Sequence, residues 1–372
     1  MKKLLFAAAA LCLFVAACDH PKADNVALLV PAENFKDQMD TIPVSLFTLN
    51  NGQIAAQITN YGARVVSLYT PDRNGKVDNI LVGHDNLKDY VLARGERYLG
   101  AMAGPVTGRI AGGSFTIGKE TYQTEKNDGE NTLNGGVMGT DKRPWKVMFQ
   151  TDSTLQLQLV LPDGDGGFPG KRVIQVTYSV AGNGFMVLTR AFSSAPTPLT
   201  LAWQPYFNLH GEGEGTVKDH QLAIQSGQYL PVNKEGIPTG EIAPVADTPF
   251  DFHSFHTLGE VMTSLNGEID HNWCLSFDPQ FPLHEACMLK DPVSGRKVTL
   301  LTNRPGLQVS TAGAFDGVIT GSNGKPIARH GAVLLAAQDW PNAVNYKHFP
   351  PVVVQPASYF ASTCLYRFDT ED

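Results

Sequence analysis

The sequence predicts an all-β fold, a large antiparallel β-sandwich, and three observations carry that prediction. Its 36 glycines and 24 prolines are spread along 372 residues rather than clustered, which suits many short strands joined by turns. Leu155-Gln156-Leu157-Gln158-Leu159 alternates strictly, as a strand with one wet face does. Helical periodicity is confined to short stretches such as 86–93 and 258–264.

The N-terminal segment is expected to stand apart from the fold. Lys2 and Lys3 precede an apolar run over residues 4–17 that ends in small residues, the pattern of a secretory signal too short to be a permanent span. Val15-Ala16-Ala17-Cys18 resembles a bacterial lipoprotein cleavage box, in which the cysteine is lipidated and becomes the first residue. Plain secretion with an incidental cysteine is the alternative. Residues 1–17 are thus expected to be removed. Residues 18–42, with Pro21, Pro31 and mixed charge, are expected to form a tether. The implied location is a bacterial cell envelope, with the chain held by a lipid on Cys18 and facing the periplasm or the exterior.

The domain follows over residues 43–370. Stretches 173–180 and 185–192 are rich in β-branched and aromatic residues, and Ala181-Gly182-Asn183-Gly184 between them reads as a hairpin turn. Residues 290–296 form another turn between apolar runs, and Val352-Val353-Val354 another strand. No internal repeat, low-complexity tract or composition break interrupts this span. Its size suggests two broad sheets packed face to face.

Composition narrows the function. A hydrophobic fraction of 42% excludes disorder. With 29 basic and 36 acidic residues and no long basic run, a nucleic-acid partner is not expected and small neutral ligands stay open. The domain holds Cys274, Cys287 and Cys364, an odd number that implies no disulfide framework. A Cys274–Cys287 bridge is open to the chain, but buried thiols are the expected state. Gly-x-Ser-x-Gly, Walker and His-Glu-x-x-His motifs are all missing. His253, His256, His271 and His284 do not pair at metal-ligand spacing, so neither metal nor cofactor is expected. Carboxylate pairing for glycoside hydrolysis stays open, because strand-borne acids meet only in three dimensions.

What the chain does carry is a series of polar and aromatic phrases among strands. They are Asn60-Tyr61-Gly62-Ala63, Gly108-Arg109-Ile110, Leu133-Asn134-Gly135-Gly136 and Gly167-Phe168-Pro169-Gly170. Further on come Tyr206-Phe207-Asn208-Leu209, Pro238-Thr239-Gly240-Glu241, Thr248-Pro249-Phe250-Asp251-Phe252 and Ile269-Asp270-His271-Asn272. Asp291-Pro292, Ser294-Gly295-Arg296, Pro305-Gly306-Leu307-Gln308 and Gln338-Asp339-Trp340-Pro341-Asn342 close the series. Each alone reads as a turn or a core feature. Together, aromatic faces with amides and carboxylates make a cleft for a neutral, hydroxyl-rich ligand.

In this order the phrases resemble the aldose 1-epimerases, the galactose mutarotases, from about Pro43 to Phe368. The resemblance implies a large antiparallel sandwich with an open sugar cleft. It also implies interconversion of the α and β anomers of a free aldose. In that family a His acid protonates the ring oxygen and a Glu base takes the anomeric proton, while a second His, an Arg and an Asp hold the sugar.

Carried over by position, that set is only partly present. Arg109 and Asp270 match the arginine and the aspartate. The second histidine's place is taken by Asn134, the acid's by Gln204, the base's by Ala336, and the asparagine beside the arginine by Gly108. Tyr206 completes the expected sugar contacts. Asn134 and Gln204 can still bind hydroxyls, but neither transfers protons at neutral pH, and the Ala336 side chain has no polar atom. Asp339 lies at an odd offset from Ala336, so on a strand it points to the other face. His210, six residues beyond Gln204, would be roughly 20 Å away along an extended strand. Glu212, Glu214 and His271 are no better placed. Three readings follow: an exported epimerase-like enzyme with a rearranged site, a lipid-anchored sugar-binding protein, or another sugar-active enzyme on the scaffold.

Overall fold

Strand alternation sorts the side chains of this chain into a core layer and a cleft layer. A computed structural model describes residues 29–276 and 280–371. Residues 1–17, Cys18 and the first part of the expected tether lie outside the described residues.

One layer is a nine-stranded antiparallel sheet. Its order in space is Lys146–Gln150, Thr154–Leu161, Arg172–Ala181, Gly184–Ser193, Phe360–Thr370, Arg296–Thr302, His284–Lys290, Gln221–Ile224 and His256–Thr257. The Leu155 to Leu159 alternation lies in the second of these strands, with Leu155, Leu157 and Leu159 buried and the glutamines half-buried. Arg172–Ala181 and Gly184–Ser193 form the expected hairpin, closed where Ala181 pairs with Gly184. The short helices form at Leu87–Val91 and Leu258–Ser264. Asn86 caps the first by accepting a hydrogen bond from the Asp89 N–H at 2.9 Å.

The second layer is a six-stranded antiparallel sheet ordered Tyr206–Phe207, Val333–Gln338, Gly306–Ser310, Asp270–Cys274, Gln228–Leu230 and Ala243–Pro244. Phe207, Leu335, Ala337, Leu307, Val309 and Trp273 point inward and join the core with Leu157, Val176, Phe185 and Tyr366 of the nine-stranded sheet. The Tyr366 hydroxyl ties the layers by donating to the Leu335 carbonyl at 3.0 Å. A four-stranded sheet, Leu46–Asn50, Ala55–Thr59, Arg64–Pro71 and Val77–Asn79, flanks this core and feeds it Ile58 and Leu68.

The second half of the expected tether packs on the domain. Phe35 is fully buried, and Val30 exchanges hydrogen bonds with the Gln57 side chain at 2.8 and 2.9 Å. Asp37–Met39 pairs with Ile42–Val44 as a small hairpin. Two apolar anchors therefore hold the chain on the domain from Val30 rather than from residue 43. Cys274, Cys287 and Cys364 are buried free thiols, so no Cys274–Cys287 bridge forms.

Several of the phrases prove to be fasteners. Fully buried Asn60 accepts from the Ser45 N–H at 2.9 Å and donates to the carbonyls of Pro43 and Trp145 at 2.9 and 2.8 Å. Arg296 donates to the Leu209 carbonyl at 2.9 Å, joining the end of the Tyr206-Phe207-Asn208-Leu209 phrase to the turn after Asp291. Gly62 has φ +72°, and a Cβ there would lie 2.4 Å from the Asp141 carbonyl oxygen. Gly62→Ala is therefore expected to lower stability by at least about 1–3 kcal/mol from backbone strain alone. Urea denaturation checks this, and an unchanged midpoint would show that the neighbouring backbone yields.

Candidate functional site

The outward face of the six-stranded sheet floors an open cleft, and pairing sets its rows. Asp270 pairs with Ser310, Ser310 with Leu334 and Leu334 with Tyr206. The next row runs Asn272, Gln308, Ala336. Extending the Tyr206–Leu334 register by two residues puts Gln204 opposite Ala336, in keeping with the Leu335 N–H donating to the Pro205 carbonyl at 3.3 Å. The walls come from loops carrying Glu96 and Tyr98, Gly108 and Arg109, Asn134, Gly236 and Pro238, and Phe315.

Each predicted position can now be placed. Arg109 pairs with Leu133 on one wall, and its Nε donates to Asp128 Oδ2 at 2.6 Å. Gly236 makes room for the guanidinium, since a Cβ there would come within 2.7 Å of Nη1. Asn134 sits beside Arg109 in a left-handed conformation (φ +50°). Its Oδ1 accepts from the Gly108 N–H at 2.8 Å, so the amide NH2 is what it offers the cleft. Gln204 is only 5% exposed, and its Nε2 has no partner although it borders the cleft. Ala336 is fully buried, covered by the cluster that holds Tyr206, Leu334 and Phe315.

Asp270 accepts a hydrogen bond from Gln308 Nε2 at 2.7 Å. Asp270 is open to the cleft, yet desolvation by the protein around it raises its carboxyl above the ordinary range, while the Gln308 bond and the Arg109 charge pull the other way. Gly108, Arg109, Asn134, Gln204, Tyr206 and Asp270 thus border one cleft.

Sequence reasoning missed three lining groups, Glu96, Asn272 and Glu268. Glu96 Oε1 accepts from the Tyr98 N–H at 2.8 Å, and its carboxyl meets the Tyr206 hydroxyl. Burial raises the Glu96 carboxyl most, and the Asp270 charge raises it further. Burial together with the Glu96 and Asp270 charges drives the Tyr206 hydroxyl up as well, so it keeps its proton and acts as a donor. Asn272, 2% exposed, has neither side-chain amide atom paired. Glu268 completes the three, its carboxylate lying over Gly313. Asn272 was legible, being two residues beyond Asp270 on one strand and so on one face. No local signal marks Glu96.

The proton carriers weighed from the sequence lie elsewhere. Asp339 faces away from the cleft and pairs with Arg304 at 3.1 Å. His210 reaches Asp291 at 3.3 Å. Glu212 is a buried acceptor for the N–H groups of Gly83 and Ser322, both at 3.0 Å, and Glu214 pairs with Lys325. His271 points to the opposite face, against Phe250 with ring centroids 4.5 Å apart, where burial lowers its pKa to about 4. Among the described residues, no three His, Cys, Asp or Glu side chains converge as a metal site. The lining can grip hydroxyls through amides, carboxylates and a tyrosine, but it holds no imidazole.

Comparison with known proteins agrees with this geometry. The model of the family described as "Aldose 1-epimerase" matches residues 45–367. A galactose mutarotase of Sus scrofa is 36% identical over 329 residues, covering 87% of this chain and 94% of its own. An aldose 1-epimerase of Escherichia coli is 29% identical, over 89% of this chain and 97% of its own. In fold, the chain resembles a galactose 1-epimerase from Lactobacillus acidophilus, with a TM-score of 0.77, 26% identity and coverage of 91% and 98%. It also resembles an aldose epimerase homologue from C. elegans, with a TM-score of 0.83, 24% identity and coverage of 88% and 100%. The sequence phrases, the sandwich with its sheet-floored cleft and these likenesses agree: the chain belongs to the aldose 1-epimerase family.

Proposed function

We propose that the cleft binds an aldopyranose and that it interconverts the α and β anomers only slowly. The observation that carries this reading is the pair Gln204 and Ala336, opposite each other where the family resemblance puts the acid and the base. A primary amide and a methyl group move no proton at neutral pH, yet unpaired Gln204 Nε2 and the carboxylate of Asp270 remain able to hold hydroxyls. Calorimetry against mono- and oligosaccharides tests the binding. Asp270→Ala is expected to weaken it by about tenfold to a hundredfold, the weight of a charge-assisted hydrogen bond. A panel without a ligand, or a ligand indifferent to Asp270, would sink the proposal.

Glu96 favours a second reading, in which Glu96 and Asp270 run acid–base chemistry on a sugar. It would be established by a wild-type polarimetric rate far above buffer that Glu96→Gln removes.

We further infer export and lipid anchoring on Cys18, with the domain facing the periplasm or exterior of a bacterial envelope. Support comes from Lys2, Lys3, the apolar run over residues 4–17 and Val15-Ala16-Ala17-Cys18. Among the described residues no helix is long and apolar enough to cross a membrane. Mass spectrometry of the native protein should find an acylated N-terminal Cys18 peptide. A mature chain starting elsewhere would contradict it.

A further inference from the structure

The cleft is short of positive charge. Glu96, Glu268 and Asp270 all line it, and of its lining residues only Arg109 is a cation. That guanidinium is already engaged, with Nε 2.6 Å from Asp128. Gln204 and Asn134 stand where the family resemblance would put imidazoles, so no second cation can arise there by protonation. Whole-chain charge leaves neutral ligands open, but the local balance is decidedly acidic.

Two deeply buried amides show that this acidic cleft is built to hold a ligand. Gln204 is 5% exposed with its Nε2 unpaired, and Asn272 is 2% exposed with both amide atoms unpaired. Buried polar atoms without partners are costly, and here they border an open cleft that a polar molecule can enter. A chelated metal ion does not suit the arrangement, because the lining acids do not converge among the described residues. Tyr206 and Phe315, with ring centroids 5.3 Å apart, add aromatic surface beside the acids.

We propose that the ligand is a cationic sugar, an aldopyranose bearing a free ammonium group, with the ammonium near Glu96 and Asp270 and its hydroxyls on Gln204 and Asn272. The proposal rests on the sugar-site reading and sharpens it to a substrate class. An ammonium would offset the negative charge of Glu96 and Asp270, which share the cleft with one guanidinium already paired to Asp128. Uronates and sugar phosphates would meet repulsion from Glu96, Glu268 and Asp270 instead.

Calorimetry near neutral pH on the full protein separates the outcomes, using D-glucose, D-galactose, D-glucosamine, D-galactosamine and the two N-acetyl derivatives. At least one hexosamine is expected to bind about tenfold or more tightly than its parent hexose, as a charge-assisted hydrogen bond predicts. N-acetylation should erase that gain without any change to the protein. Glu96→Gln should weaken the hexosamine about tenfold more than it weakens the parent hexose. Equal binding of hexose and hexosamine, still dependent on Asp270, would overturn the charge proposal and leave the sugar site standing. No binding of any sugar would overturn both.

Discussion

Fresh α-D-glucose or α-D-galactose is expected to mutarotate with the wild-type protein barely faster than in buffer, whereas Gln204→His combined with Ala336→Glu should accelerate it strongly. Each positioned acid or base is worth roughly 10²–10⁴ in rate, and the pair acts as a unit. Gln204 and Ala336 face each other across the register, so the new imidazole and carboxylate would flank one ring. Either change alone should do little, because half the proton transfer would still fall to water. The Ala336 methyl is wholly covered, so a glutamate there must push past Tyr206 or Phe315 to reach the cleft. Circular dichroism must therefore show that the double variant is folded before its rate is read. Asn134→His, added third, should help further, although the new ring must replace the 2.8 Å bond that Asn134 accepts from Gly108. Polarimetry decides. A folded triple variant without gain would mean the cleft has been remodelled for another ligand, and a fast wild-type rate would mean that other groups carry the proton.

Arg64→Ala is expected to produce the largest loss of stability, about 3–5 kcal/mol, combining a large cavity with stranded carbonyls. Arg64 is fully buried, and its guanidinium donates to the carbonyls of Arg97 at 3.2 Å, Leu99, and Asp141 at 3.4 Å. It also lies over the Tyr90 ring, 4.5 Å from the centroid. The Arg97 and Leu99 carbonyls belong to the segment that presents Glu96 and Tyr98 to the cleft, and a second clamp, Arg97 to Asp141 at 2.7 and 2.9 Å, holds its outer side. Urea denaturation reads the loss. Limited proteolysis should find new cleavage near residues 92–98. A cost under about 1 kcal/mol would show that water or a neighbour satisfies the freed carbonyls.

Much of the architecture was legible because it follows from local pattern. The period of two over Leu155 to Leu159, the Gly182-Asn183 turn and the stretch 258–264 each reappear as expected. The placement of Arg109, Asn134, Gln204 and Asp270 around one cleft was legible through the family phrases, and Asp339 turned away as strand parity demands. Glu96 was not legible. It lies in a coil with no periodicity, and it joins the cleft only because Arg64, thirty-two positions earlier, clamps that coil. The complete burial of Ala336 was hidden for a related reason, since parity gives its face but not what covers it. Likewise Phe35 and Val30 look like tether until the surfaces that receive them exist.

Alternation within single strands also separates two kinds of evolutionary risk. Along Val333–Gln338, Leu335 and Ala337 carry the cohesion of the sandwich, while Ala336 and Gln338 belong to the face that floors the cleft. Along Asp270–Cys274, Trp273 is committed to the interior, and Asp270 and Asn272 to the cleft. A lineage can therefore rewrite every second letter of these strands and change what the protein recognises without renegotiating how it folds. A scaffold with that property can shed one chemistry before acquiring another, persisting meanwhile as a stable binder on which selection can still act.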